Sequence, residues 1–229
     1  MTNLFIFPFG GGNETSYARI TQLLHPSIHI ISGESPGKGR RNKEPLLKNL
    51  YRMADVFFEQ YAQQVDENSI FLGHSMGAYL AYLMAIRLRD EKHTLPKHLV
   101  LSSKIAPSRH FNKKRMLLTD EKFIKHLKEL EGMPDAILSN AELLTLFLPI
   151  IRADFDALDQ FKYIPTTPLP IPITLFCGNR ENVPDEWLTD WNKETTDCFD
   201  FKRISGGHFW LFDNPDPLIQ CIHQIAGIK

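Results

Sequence analysis

Gly73-His74-Ser75-Met76-Gly77 carries the sharpest chemical signal in this sequence. The run follows a short apolar stretch, Ser69 to Leu72, and leads into another, Met76 to Leu88. Glycine two residues before and two after a serine permits a tight strand-to-helix turn. Such a turn lifts the serine hydroxyl out of a sheet and aims the next backbone N–H at the same point. With only 13 glycines in 229 residues, chance seldom produces this pattern, and less often between a strand and a helix. Ser75 therefore reads as a nucleophile.

A serine hydroxyl is weak alone and needs a base. Nine histidines are available. His208 fits best, because Gly206-Gly207-His208-Phe209-Trp210 follows the strand-like Phe199 to Arg203. That is where a nucleophile, acid, base order puts the base. His223, in the last helical stretch, is the plainer alternative. His74 lies in the turn but points away from the neighbouring hydroxyl.

An acid must orient the imidazole. The loop after the strand ending at Ser102 begins Ser103-Lys104 and holds no carboxylate there. The loop after Phe176 reads Cys177-Gly178-Asn179-Arg180-Glu181-Asn182-Val183. Glu181 is its first carboxylate and the nominee. Asp185 is second, and a solvated loop charge is the competing reading. Pro8-Phe9-Gly10-Gly11-Gly12 follows the first strand. Its N–H groups at Phe9 and Gly10, with that of Met76, can form an oxyanion hole.

These groups need a scaffold, and the hydrophobic pattern supplies one. Strands are expected at Asn3 to Phe7, Ile28 to Ser32, Ser69 to Leu72, His98 to Ser102, Pro172 to Phe176 and Phe199 to Arg203. Helical patterns alternate with them at Ser16 to Leu24, Leu46 to Tyr61 and Met76 to Leu88. A further helix opens at Pro184 and runs to about Lys193. The last follows Pro215, with Asn214 as its cap. The alternation predicts an α/β fold with a mainly parallel central sheet and helices on both faces.

About 70 residues between Ser102 and Pro172 break the rhythm with helical signals, as is common where an insertion forms a lid over a site. Thr119 can cap one helix and Asn140 a second, running through Leu148. The reading is a single domain over residues 1–229 with a helical lid inserted at about 105–165. The apolar residues Leu143 to Ile150 can line an acyl channel or, more plainly, pack the lid onto the sheet.

Composition excludes several classes. Hydrophobic residues are 43% and charged residues 23%, ordinary for a globular protein. Lys plus Arg is 26 against 27 acidic residues, which lacks the basic excess of a nucleic-acid binder. No membrane span or secretory leader is expected. Three scattered cysteines argue for a reduced, cytoplasmic protein without a disulfide or zinc framework.

Taken together, the motifs resemble those of external, type II thioesterases of nonribosomal peptide and polyketide synthases, which have the α/β-hydrolase fold. Phe7-Pro8-Phe9-Gly10-Gly11-Gly12 with Tyr17 is similar to the family's first-strand motif. Glu34-Ser35-Pro36-Gly37-Lys38-Gly39-Arg40-Arg41 looks like its L-P-G-R-G-R segment. The serine turn reads G-H-S-M-G-A through Ala78. Ile151-Arg152-Ala153-Asp154-Phe155 resembles the segment after the lid, and Gly206-Gly207-His208-Phe209 the histidine loop. One departure concerns the acid. Gly178-Asn179-Arg180-Glu181 stands where the family has G-x-x-D, in a loop one residue shorter. Arg40-Arg41 and Arg152-Asp154 are read as structural.

The resemblance implies hydrolysis of acyl thioesters on the phosphopantetheine arm of carrier proteins, through an acyl-enzyme on Ser75. It implies no metal and no cofactor beyond that arm. Carrier proteins are commonly acidic, so Lys113-Lys114-Arg115 and Lys122, Lys125 and Lys128 are candidates for docking. A solvated helix face is the plainer reading. A monomer is expected. Competing readings are a carboxylesterase, a carrier-to-carrier acyltransferase, and a non-catalytic carrier-binding module.

Overall fold

Successive side chains of a strand point to opposite faces, so a sheet covered on both sides needs apolar residues at consecutive positions. The strands here meet that condition. The computed structural model describes residues 1–130 and 140–228. Strands β1 (Thr2–Phe7), β2 (Ile28–Ser32), β3 (Ile70–His74), β4 (His98–Ser102), β5 (Ile173–Gly178) and β6 (Phe199–Ile204) form one sheet. Its order is β2-β1-β3-β4-β5-β6, and every neighbouring pair is parallel. The expected α/β architecture is present, with a fully parallel sheet.

The helices are α1 (Ala18–Thr21), α2 (Leu50–Tyr61), α3 (Met76–Asp90), α4 (Asp120–Glu129), α5 (Ala141–Gln160), α6 (Asp185–Thr189), α7 (Trp210–Asp213) and α8 (Asp216–Ala226). Phe5, Phe7, Phe71, Leu99, Leu101, Ile173 and Leu175 face α2, α3 and the end of α5. The alternate residues Leu4, Ile6, Ile70, Leu72, Val100 and Phe176 face α1, α7 and α8. The central helix α3 is apolar almost all round because it lies under α2 and against the sheet, with Met76 through Ala85 all buried.

Several boundaries differ from the sequence reading. The first helix shortens to α1. Helix α2 starts at Leu50 rather than Leu46, because Asn49 caps it by accepting the Arg52 N–H at 3.1 Å. Pro184 precedes α6, which gives way after Thr189 to a tighter turn at Asp190–Glu194. Pro215, not Asn214, is the residue that leads into α8. Helix α7 had no counterpart in the sequence reading.

Between β4 and β5 the chain forms the expected helical insertion, of which residues 131–139 lie outside the described ones. Thr119 and Asn140 cap α4 and α5 as anticipated. Helix α5 does not stop at Leu148 but continues through Pro149 to Gln160. A proline inside a helix costs about 3 kcal/mol. The buried face opposes that cost by carrying on as Leu148, Ile151, Phe155 and Leu158. Leu144, Phe147 and Leu148 pack with Phe123 and Leu127 of α4. The insertion thus closes helix on helix, while Leu143 and Leu146 stay exposed. The expectation that Leu143 to Ile150 would pack onto the sheet is corrected.

Candidate active site

All six strands run the same way, so the loops after β1, β3, β5 and β6 leave from one edge of the sheet. They carry Phe9, Ser75, Glu181 and His208 in turn.

Ser75 occupies the turn between β3 and α3 at φ 54° and ψ −118°. Such a conformation costs a non-glycine residue about 1–3 kcal/mol and persists only when the surroundings enforce it. They do so here. The Ser75 N–H donates to the Ser102 carbonyl at 2.8 Å, locking the turn to β4. A Cβ on Gly77 would lie 2.3 Å from the Phe7 carbonyl, and one on Gly73 would lie 2.2 Å from the Gly77 carbonyl. Glycine at 73 lets β3 turn tightly into α3, and glycine at 77 lets the loop after β1 start in contact with the first turn of α3. That turn has backbone N–H groups without intrahelical partners, beginning at Met76, and the positive end of the helix dipole.

The loop holding Phe9 and Gly10 is fixed from the far side. The Gly11 N–H donates to Asp154 Oδ2 of α5 at 2.6 Å. Lys38 Nζ binds the same oxygen. Both side chains are buried, which gives Asp154 a definite task that its motif only hinted at. Arg152 turns the other way, to Asp120 and the Leu118 carbonyl at 2.9 Å, and ties α5 to α4. Arg40 pairs with Glu14 and Arg41 with Glu44.

His208 Nε2 lies 3.0 Å from Ser75 Oγ. His208 Nδ1 lies 2.6 Å from Glu181 Oε2. The structure therefore joins Ser75, His208 and Glu181 in one hydrogen-bonded chain. Asp185 does not take part. It binds Arg203 at 2.6 and 2.9 Å and faces solvent. His223 accepts the His25 N–H at 3.0 Å, at the other end of the fold.

Glu181 Oε1 is engaged as well. It accepts from Ser103 Oγ at 2.6 Å, the Gly178 N–H at 3.1 Å and Cys177 Sγ at 3.2 Å. Burial opposes ionisation of Glu181, but the His208 imidazole and these donors outweigh it and bring the carboxyl down to about 2. It is a carboxylate at any working pH. Neither Ser103 nor Cys177 was singled out from sequence. The only signal was position, since each follows or ends a strand beside the site.

His74 is fully buried, with its ring 4.9 Å from that of His208. Its Nδ1 shares a hydrogen bond with Ser102 Oγ at 3.0 Å, which also accepts from Trp210 Nε1 at 3.2 Å. Burial holds His74 well below the usual histidine range. It packs against the His208 ring as a neutral side chain.

A family model for the thioesterase domain matches residues 2–226. The chain belongs to the thioesterase family. This thioesterase is 32% identical over 219 residues to the gramicidin S biosynthesis protein GrsT of Aneurinibacillus migulanus, covering 95% of this chain and 86% of that one. Among solved structures it is similar to the RedJ thioesterase of the prodiginine pathway in Streptomyces coelicolor. The TM-score is 0.91 at 27% identity, covering 98% of this chain and 90% of that one. It is also similar to BorB, the type II thioesterase of the borrelidin cluster, with a TM-score of 0.90 at 28% identity over 98% and 92% of the chains. These likenesses bear out the resemblance to type II thioesterases and the α/β-hydrolase fold. The protein is a thioester hydrolase.

Two surfaces of this thioesterase depart from expectation. Arg115 is not available for docking, because it is buried against Asp159 at 2.6 and 2.9 Å. Lys122, Lys125 and Lys128 remain exposed on α4. A cavity of about 580 Å³ is lined by residues of the insertion such as His110, Phe111, Phe161 and Tyr163, and by none of Leu143 to Ile150. Among the described residues, no helix is long and apolar enough to cross a membrane.

Proposed function

We propose that this protein hydrolyses acyl thioesters carried on the phosphopantetheine arm of carrier proteins, and so clears stalled or wrongly primed synthase modules. The observation that carries the reading is the chain Ser75 Oγ, His208 Nε2, His208 Nδ1, Glu181 Oε2, with steps of 3.0 and 2.6 Å. The likeness to biosynthetic thioesterases supports the substrate class.

Ser75 Oγ attacks the thioester carbonyl carbon while its proton passes to His208 Nε2. Negative charge develops on the former carbonyl oxygen, which would rest on the N–H groups of Met76 and of Phe9 or Gly10. Collapse breaks the C–S bond, and the His208 proton goes to the departing sulfur. The pantetheine thiol leaves, and the acyl group stays on Ser75 as an ester. Water then attacks that ester, giving a proton to His208, which returns it to Ser75 Oγ. The products are a carboxylic acid and a free carrier thiol. Glu181 stays ionised and stabilises the imidazolium at each stage. Every step uses protein groups and water.

Among candidate docking groups, the exposed lysines of α4 suit an acidic carrier, and their contribution would fall with rising salt.

The test is hydrolysis of a panel of acyl-carrier thioesters of different chain lengths, followed by release of free thiol. Wild type should turn over, and Ser75→Ala and His208→Ala should lose nearly all activity. Alcohol and a second unacylated carrier, supplied as competing acceptors, distinguish hydrolysis from transfer. Transfer outrunning hydrolysis would replace this reading with an acyltransferase. Faster cleavage of oxygen esters than of thioesters would favour a carboxylesterase. No turnover and no Ser75-dependent labelling by a fluorophosphonate would leave a binding module.

A further inference from the structure

Ser103 is the residue that follows β4, and its φ is 52°, in the left-handed region. Glycine sits there without strain, whereas a side chain adds crowding. The backbone alone gives no reason for a serine. Its N–H extends the ladder to β5 by donating to the Phe176 carbonyl at 2.8 Å, a bond any non-proline residue can make. What serine adds is a hydroxyl, and that hydroxyl is buried between the two loops of the site.

Ser103 Oγ lies 2.6 Å from Glu181 Oε1 and 3.1 Å from the His208 carbonyl oxygen. A hydroxyl has one proton to give. The shorter contact, to an ionised oxygen, takes it, because charge-assisted bonds of this length are the stronger kind. The acid it grips is a glutamate, whose carboxylate turns about a soft terminal torsion. Held at Oε1, that carboxylate keeps Oε2 against His208 Nδ1.

We propose that Ser103 is a positioning residue of the hydrolytic machinery, acting through Glu181 on His208. It touches neither substrate nor reacting atoms. Its hydroxyl fixes the rotation of the glutamate and helps keep it anionic, so that the imidazole stays in the tautomer and orientation that Ser75 needs. The inference rests on the reading of Ser75, His208 and Glu181 as a catalytic triad.

The experiment compares wild type, Ser103→Gly, Ser103→Ala, Glu181→Gln and the double variant Ser103→Gly/Glu181→Gln. Hydrolysis of a small acyl-N-acetylcysteamine thioester gives kcat and KM, and thermal unfolding gives Tm. Ser103→Gly should keep a Tm near that of wild type, since relief of the left-handed backbone offsets the lost hydrogen bond. Its kcat should fall about tenfold or more, as expected for one lost hydrogen bond to a charged group, with little change in KM. In the Glu181→Gln background the same change should cost nothing further. A merely structural serine would not give a stable but slow enzyme whose defect vanishes with the acid.

Ser103→Ala reads the same loss if the glycine variant folds poorly. A kcat within about twofold of wild type in both single variants overturns the proposal, as does an equal loss in the Glu181→Gln background. Full activity of Glu181→Gln overturns the triad reading, and this inference with it. Loss in Glu181→Gln without loss at Ser103 overturns the role of Ser103 alone.

Discussion

Glu181 meets His208 Nδ1 with Oε2 at 2.6 Å while three donors hold Oε1. Two of those donors, Cys177 and Gly178, are the last residues of β5, from which the glutamate's loop leaves. The side chain folds back over the end of that strand to reach the histidine. The glutamate's longer side chain thus arrives at the imidazole. This geometry removes the motive for a non-catalytic reading, which was the absence of the family's aspartate.

Replacing this acid should cost rate more than stability of substrate binding. In Glu181→Gln the amide can donate to Nδ1, leaving the proton on Nε2, where it cannot accept from Ser75. The kcat should fall toward about 10⁴-fold, with KM little changed. Glu181→Asp withdraws the carboxylate by one methylene from either His208 or Ser103, so an intermediate loss is expected. Steady-state kinetics on one thioester checks the order wild type, Asp, Gln.

Stability should depend on Glu181 in acid. Its carboxyl falls from 4.5 to about 2 on folding. A lowered acid stabilises the fold above its unfolded value, and that contribution disappears as pH drops through the folded one. It is worth about 3 kcal/mol at pH 7 and about 1 kcal/mol at pH 3. Denaturant unfolding of wild type and Glu181→Gln should therefore show a gap that narrows between these two pH values. A gap that is constant with pH would count against the ionised pair.

Asp154 and Lys38 pair in the interior, with 0% and 3% of their side chains exposed. Asp154→Asn leaves a buried ammonium without its counter-charge and should destabilise by about 3–5 kcal/mol. Adding Lys38→Met should recover much of that loss. Because Asp154 also holds Gly11, the rescued double variant should still show a lower kcat, measured beside its unfolding curve.

Gly77 closes the Gly73–Gly77 turn and is the second residue of α3. Glycine to alanine inside a helix ordinarily stabilises by about 1 kcal/mol. Here the sign should reverse, because the added Cβ meets the Phe7 carbonyl at 2.3 Å and backbone cannot yield cheaply. Gly77→Ala should lower Tm and abolish fluorophosphonate labelling of Ser75, since the loop of Phe9 must move away.

Some of this protein is written locally. The Ser75 turn, the Gly206-Gly207-His208 loop and the caps at Asn140 and Thr119 follow from sterics and hydrogen bonding among near neighbours. The buried face of α2 follows from helical periodicity, and most of the strands and α3 from short, nearly continuous apolar runs. Those features were legible residue by residue. The end of α5 was not legible in this way, because burial of the turns after Leu148 carries the helix on through Pro149 despite the missing N–H.

Which carboxylate reaches the base was not local. Glu181 and Asp185 stand four residues apart with similar chemistry, and sequence alone could only rank them. The parallel register of β5 and β6 places Gly178 beside Ile204, which turns one loop toward His208 and lets Arg203 take Asp185. The same holds for Asp154 beneath Gly11, 143 residues away, and for Ser103 against Glu181, 78 residues away. Sequence by itself determined the kinds of groups present and the short elements that carry them. Only the tertiary structure decided which of them meet, because those contacts are set by strand order and loop closure rather than by any property of the neighbouring residues.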